Sequence, residues 1–142
     1  MKRHIISLIM SMLVIFTAST ALAYQPYAQY LNGDPNFKLC DGHMGTAWYV
    51  DLSSLNVNLY DPPTYIIGVN VLAADADNNY AVSNITTYRF QYNYTQQTLY
   101  VENPNTGSWR YIDPDDCWAE TGIVLPAAKI AFYQAYGIPF YN

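Results

Sequence analysis

The chain has 142 residues, is 51% hydrophobic but only 12% charged, and carries a formal charge of −5. That length fits one domain with a real core. Beyond residue 23 the only strong bases are Lys38, Arg89, Arg110 and Lys129, set against eleven acids. This balance argues against nucleic acid and anionic membrane surfaces as partners, since both reward clustered Lys and Arg.

The N-terminus begins with Lys2 and Arg3, continues through an apolar run from Ile5 to Phe16 broken by two serines, and closes on Ala21-Leu22-Ala23. A basic start, a short apolar run and an A-x-A site make a secretory signal peptide. The run falls short of the about 20 residues that span a bilayer. Residues 1–23 are expected to be cleaved ahead of Tyr24, sending the chain to the periplasm, the cell surface or the medium. No membrane insertion of the mature chain is expected.

Residues 24–45 read as an extended lead-in, with Gly33-Asp34-Pro35 as a turn signal, and 46–142 as a single α+β domain. Its first strand is expected at Ala47 to Leu52, where Trp48 and Val50 share one face. Asp61-Pro62-Pro63 breaks the chain. In the β-branched run that follows, Ile67, Val69 and Val71 alternate with Ile66, Gly68 and Asn70. Asp75 to Asn79 form a polar turn, and "TTYRFQYNYTQQTLYVE" reads as a strand, the loop Thr95-Gln96-Gln97, and a partner strand. Asn103 to Gly107 turn the chain into "SWRYI". From Leu125 a helical spacing begins, with Pro126 in the first turn, Gly137 placed to stop it and Pro139 beyond. The expected fold is an antiparallel sheet of about five or six strands packed by one C-terminal helix, a two-layer arrangement.

Tyr88, Phe90 and Tyr92 share one strand face, and Arg89, Gln91 and Asn93 the other. Alternation of this kind predicts a core face, with Phe90 central and the tyrosine hydroxyls at its rim. The sequence holds fifteen tyrosines, more than one core absorbs. Tyr24, Tyr27 and Tyr30 recur every third residue outside any predicted core element. Tyrosine offers large contact area at low entropy cost, so these three are the candidate binding residues for a protein or glycan ligand. Their truncation is expected to leave stability nearly unchanged. The competing reading is that the lead-in lies along the domain and packs there.

Cys40 and Cys117 are the only cysteines. In an exported chain an isolated pair reads first as a disulfide, with a loop-closure gain of at most about 4.5 kcal/mol. A metal site is not expected: Cys40 and His43 form C-x-x-H, and no second pair completes a tetrahedral set. Asp75, Asp77 and Asn79 imitate an EF-hand start, but Tyr80 stands where glycine is needed and Thr86 where glutamate is. No cofactor is expected. A hydrolase would have to combine His43 with Ser53, Ser54, Ser83 or Ser108, without a G-x-S-x-G elbow, or pair carboxylates from Asp51, Glu102 and Glu120.

The order "WYVDLSSL", "TTYRFQYNYTQQTLYV", "GSWRYIDP", "AAKIAFYQAYG", spanning Ala47 to Tyr136, resembles the surface-adhesin protein E family of small exported bacterial proteins. The resemblance implies an antiparallel sheet with a C-terminal helix, and attachment to host matrix proteins or self-association, for instance as a homodimer. Two departures stand out: no lipid-anchor cysteine follows the signal, and the family's binding segment has no match here. The expected function is a non-enzymatic binding or structural module of the bacterial envelope. A small periplasmic or secreted hydrolase, or an enzyme inhibitor, is the alternative.

Overall fold

A computed structural model describes residues 26–139; residues 1–23, expected as a signal peptide, and Tyr24 lie outside them. Six strands form one antiparallel meander in chain order: β1 (Phe37–His43), β2 (Thr46–Asp61), β3 (Thr64–Asp75), β4 (Ala81–Asn93), β5 (Thr98–Glu102) and β6 (Trp109–Ile112). Two helices follow, a single turn α1 (Trp118–Thr121) and the C-terminal α2 (Val124–Tyr136).

Helix α2 ends as its sequence dictates. Gly137 sits at φ 65° and its N–H donates to the Tyr133 carbonyl at 2.8 Å, a left-handed stop that glycine adopts without steric cost. The face it turns to the sheet is built on Ala127, Ala128, Ala131 and Phe132, all fully buried. Three alanines let the helix approach the strands closely, and one phenylalanine fills the remaining space.

The sheet face beneath α2 follows strand alternation. Ile67, Val69 and Val71 of β3 and Phe90 and Tyr92 of β4 are buried, and the register Phe90↔Val101, Tyr92↔Leu99 adds β5. The aromatic row is therefore an inside face, with Tyr88 half-buried at its rim and stacked on Phe90 at 5.8 Å. Fully burying each such side chain contributes about 1.5–3 kcal/mol.

Strand β2 runs far beyond the expected Leu52. The stretch "DLSSL" forms an irregularity that the sheet accommodates: pairing with β3 shifts between Asp51 and Asn56. The Asp51 carboxylate accepts the Ser53 N–H at 3.0 Å. Ser54 Oγ donates to the Asp51 carbonyl at 2.7 Å and accepts the Asn70 N–H at 2.8 Å. Backbone groups that lose ladder partners are met by these side chains, and the strand continues.

A second core lies on the opposite sheet face. Ala47 and Tyr49 of β2 join Leu72 and Ala74 of β3, and the lead-in covers them. Leu31, at the start of a 3-10 turn (Leu31–Gly33), is buried there. The Tyr49 hydroxyl donates to the Ala28 carbonyl at 2.9 Å, and the Ala28 N–H donates to the Tyr80 hydroxyl at 2.9 Å. The Leu39 N–H donates to the Gln29 carbonyl at 2.9 Å, and Tyr30 bridges Lys38. The stretch expected as a lead-in over 24–45 thus supplies strand β1 and a covering segment for the outer core.

Burial raises Tyr49 to about 12, with Tyr80 adding to the shift, and raises Tyr88, Tyr92 and Tyr136 as well. A phenol whose folded value lies above its unfolded value of about 10 favours the fold through its neutral form. That contribution is fully present below about pH 10 and is lost as the pH rises toward 12. Circular dichroism across this window should show the fold failing together with the 295 nm tyrosinate signal. A fold unchanged while all tyrosines ionise by pH 11 would contradict the burial of Tyr49.

Candidate functional site

The binding residues expected in the lead-in are partly structural. Tyr27 is half-buried: its ring lies over Gly42, whose backbone leaves room only because it lacks a Cβ, and its hydroxyl accepts the Gly45 N–H at 3.1 Å. Tyr30, also half-buried, accepts from Gln29 Nε2 at 3.4 Å. The packed lead-in is the arrangement found, so Tyr27 is a structural contact and its truncation is not neutral to stability.

The disulfide expected between Cys40 and Cys117 is not formed; both are free thiols. Cys40 packs against the α2-side core and its Sγ–H donates to the Trp48 carbonyl at 3.3 Å. Cys117 lies exposed before α1. Burial, and next the Asp41 charge, push the Cys40 thiol up to about 12. Because the thiolate is the reactive species, iodoacetamide on the native protein should add one label rapidly, at Cys117, and a second only on unfolding. Two equally fast adducts, or none together with a mass two hydrogens lower, would contradict this.

The groups weighed for catalysis are engaged elsewhere. Glu102 pairs with Arg89, Glu120 pairs with Arg110 at 2.9 Å, and Asp51 braces the β2 irregularity. The His43 ring lies tilted against Trp118 with centroids 4.4 Å apart, and Trp118 Nε1 donates to Asp41 at 2.6 Å. Ser53 bonds Asp51, Ser54 bonds Asp51 and Asn70, Ser83 bonds the Ala73 carbonyl, and Ser108 meets Thr106. Among the described residues no group of three His, Cys, Asp or Glu side chains is placed to hold a metal. No helix among them is long and apolar enough to cross a membrane.

The outer face of β4, β5 and β6 has a different character. Register puts Gln91 beside Tyr100, Tyr100 beside Tyr111, and Glu102 beside Trp109. Arg89 Nη1 donates to both Glu102 oxygens, to Oε1 at 2.6 Å, and its guanidinium carbon stands 5.7 Å from the centre of the Trp109 ring. The Tyr100 and Tyr111 rings meet edge-on at 5.6 Å. Helix α2 lies on the other side of the sheet and the lead-in covers only the β2–β3 part of this one. Arg89, Gln91, Tyr100 and Trp109 stay half-buried and Tyr111 is 46% exposed. The ion pair neutralises the one arginine and one glutamate at its centre and fixes the guanidinium against the indole. The result is an ordered, nearly neutral surface of rings and amides.

On the opposite, α2-side face of the same strands a hollow of about 470 Å³ lies between Tyr88 and the turn after β5, lined also by Val101, Glu102, Asn105, Ser108 and Arg110. The sequence reading placed "SWRYI" as a strand but not Trp109, Tyr111 and Arg89 as one site. Alternation shows that Arg89 and Gln91 oppose the core row. Only the β4–β5–β6 register brings them to Tyr100 and Trp109.

The fold is thus a curled six-stranded antiparallel sheet with one α-helical layer and an aromatic–amide face that no other described element covers. Compared with known proteins, the chain matches no family model, no curated protein and no solved structure.

Proposed function

We propose that the protein is a non-enzymatic binding module of the bacterial envelope, exported through a signal peptide at residues 1–23, and adhesin-like toward host matrix proteins. The observation that carries the reading is the uncovered outer face of β4–β6, with Trp109 held by Arg89 and Tyr100 paired with Tyr111. Tyr, Trp and Arg supply the largest share of binding energy at protein surfaces, and here their geometry is set before any partner arrives, which lowers the cost of ordering. The resemblance to the surface-adhesin protein E family points to the same class of partner. The hydrolase alternative gains no such support, because the carboxylates it would use hold arginines or a strand irregularity.

The test is binding of the purified chain to immobilised laminin, fibronectin, vitronectin and collagen. Trp109→Ala with Tyr111→Ala should weaken the strongest of these interactions by at least about tenfold, the loss of one modest hot spot. Met44→Ala, at a site 88% exposed and away from this face, should leave it unchanged. Equal binding by the parent and both variants would rule out this face as the binding surface.

A further inference from the structure

Independently of that face, we infer that the hollow between Tyr88 and the turn after β5 is a binding site for a neutral sugar, a pyranose presented as a mono- or disaccharide. Its volume is about 470 Å³, inside the about 300–1,000 Å³ of small-molecule sites.

The charges exclude most other ligands. Glu102 and Arg110 are the ionic residues of the lining. Both Glu102 oxygens accept from Arg89, and Arg110 donates to the Glu120 carboxylate and carbonyl at 2.9 and 3.3 Å. Neither leaves a net charge for an anion or a cation to balance. The rest of the lining is amide, hydroxyl and phenol, with Val101 and Pro104 as its aliphatic members. A wholly apolar ligand would strip water from the polar groups without replacing their hydrogen bonds. What fits is an uncharged molecule dense in hydroxyls that also carries an apolar face.

The polar groups are set before a ligand arrives. The Asn103 N–H donates to the Ser108 carbonyl and the Gly107 N–H to the Asn103 carbonyl, both at 2.8 Å. The Asn105 N–H donates to Asn103 Oδ1 at 2.9 Å, and the Thr106 and Ser108 hydroxyls lie 2.7 Å apart. A turn fixed in this way lowers the ordering cost of binding.

Turn chemistry accounts for these bonds, and core alternation accounts for the Tyr88 ring, stacked on Phe90. Neither accounts for the polar groups left over. Tyr88 is half-buried at a position where phenylalanine would pack equally, and its hydroxyl has no hydrogen-bond partner among the described residues. The Asn105 side-chain amide and Asn103 Nδ2 have none there either. A phenol and two amides supply both donors and acceptors, as adjacent sugar hydroxyls require. The negative face of an aromatic ring suits the C–H face of a pyranose.

The test is an NMR titration of the purified chain with the methyl glycosides of glucose, galactose, mannose and N-acetylglucosamine, and with lactose and cellobiose. Inorganic phosphate and cyclohexanol are the comparison probes. At least one sugar should shift the amides of Tyr88, Asn105 and Ser108 saturably, with Kd below about 10 mM. Phosphate and cyclohexanol should bind at least about tenfold more weakly. Tyr88→Phe and Asn105→Ala remove polar groups that bond to nothing in the fold. Each should weaken that sugar about two- to tenfold, the loss of one hydrogen bond. Tyr111→Ala, on the opposite face, should leave it unchanged. Absence of saturable shifts with every sugar overturns the inference. So does phosphate or cyclohexanol binding as tightly as the sugar, either of the first two variants binding it like the parent, or binding that is lost in Tyr111→Ala.

Discussion

Phe90→Ala should lower the unfolding free energy by about 3–5 kcal/mol, the usual cost of emptying a buried phenylalanine site. Phe90 is fully buried, sits between Ile67 on β3 and Val101 on β5, and carries the Tyr88 ring against its own. Neighbours on two strands and a stacked ring limit how far the site can collapse around the missing atoms. A domain has only about 5–15 kcal/mol in total, so the loss should appear as a large drop in urea midpoint with little change in slope. A Phe90→Ala variant that unfolds at the parent's midpoint would place the ring outside and make the row a candidate platform again.

The second large effect concerns the lead-in. A Cβ built on Gly42 would stand 2.1 and 2.3 Å from two Tyr27 ring carbons, so Gly42→Ala must displace the ring. The displacement also endangers the Gly45–Tyr27 hydrogen bond, and the expected cost is about 1–3 kcal/mol, as for overpacking. In a Tyr27→Ala background the same change should cost much less, giving a coupling of about 0.5–3 kcal/mol between the two sites. Additive effects would mean that the lead-in does not lie over β1 in solution.

Where the sequence was legible, one local rule decided. The period-two runs through Ile67, Val69 and Val71 and through Phe90 and Tyr92 each became a buried face, and Gly137 ended the helix. The misread elements each depend on something outside their own segment. Phe37–His43 shows no alternation, in part because its register with β2 shifts around Cys40, so it reads as lead-in. Strand β2 reads as ending at Leu52 because the groups that keep it in the sheet include Asn70 on the next strand. Tyr49 and Leu72 look solvent-facing if only one face of the sheet is covered. Their burial follows from the lead-in closing over the other face.

The candidate face was illegible for the same reason. Trp109, Tyr111, Tyr100 and Arg89 come from three strands, and no spacing within any one strand predicts that they meet. The tyrosine period in the lead-in was visible, but for Tyr27 it marks packing on Gly42.

The outer face of β4–β6, which no other described element covers, is the surface proposed to bind a partner. Hydrogen exchange of the chain, free and bound to the strongest-binding matrix protein, tests it most directly. New protection should concentrate at 87–93 and 98–112, with 26–45 unchanged. Protection confined to 26–45 would return the site to the lead-in tyrosines and rule out the β4–β6 face.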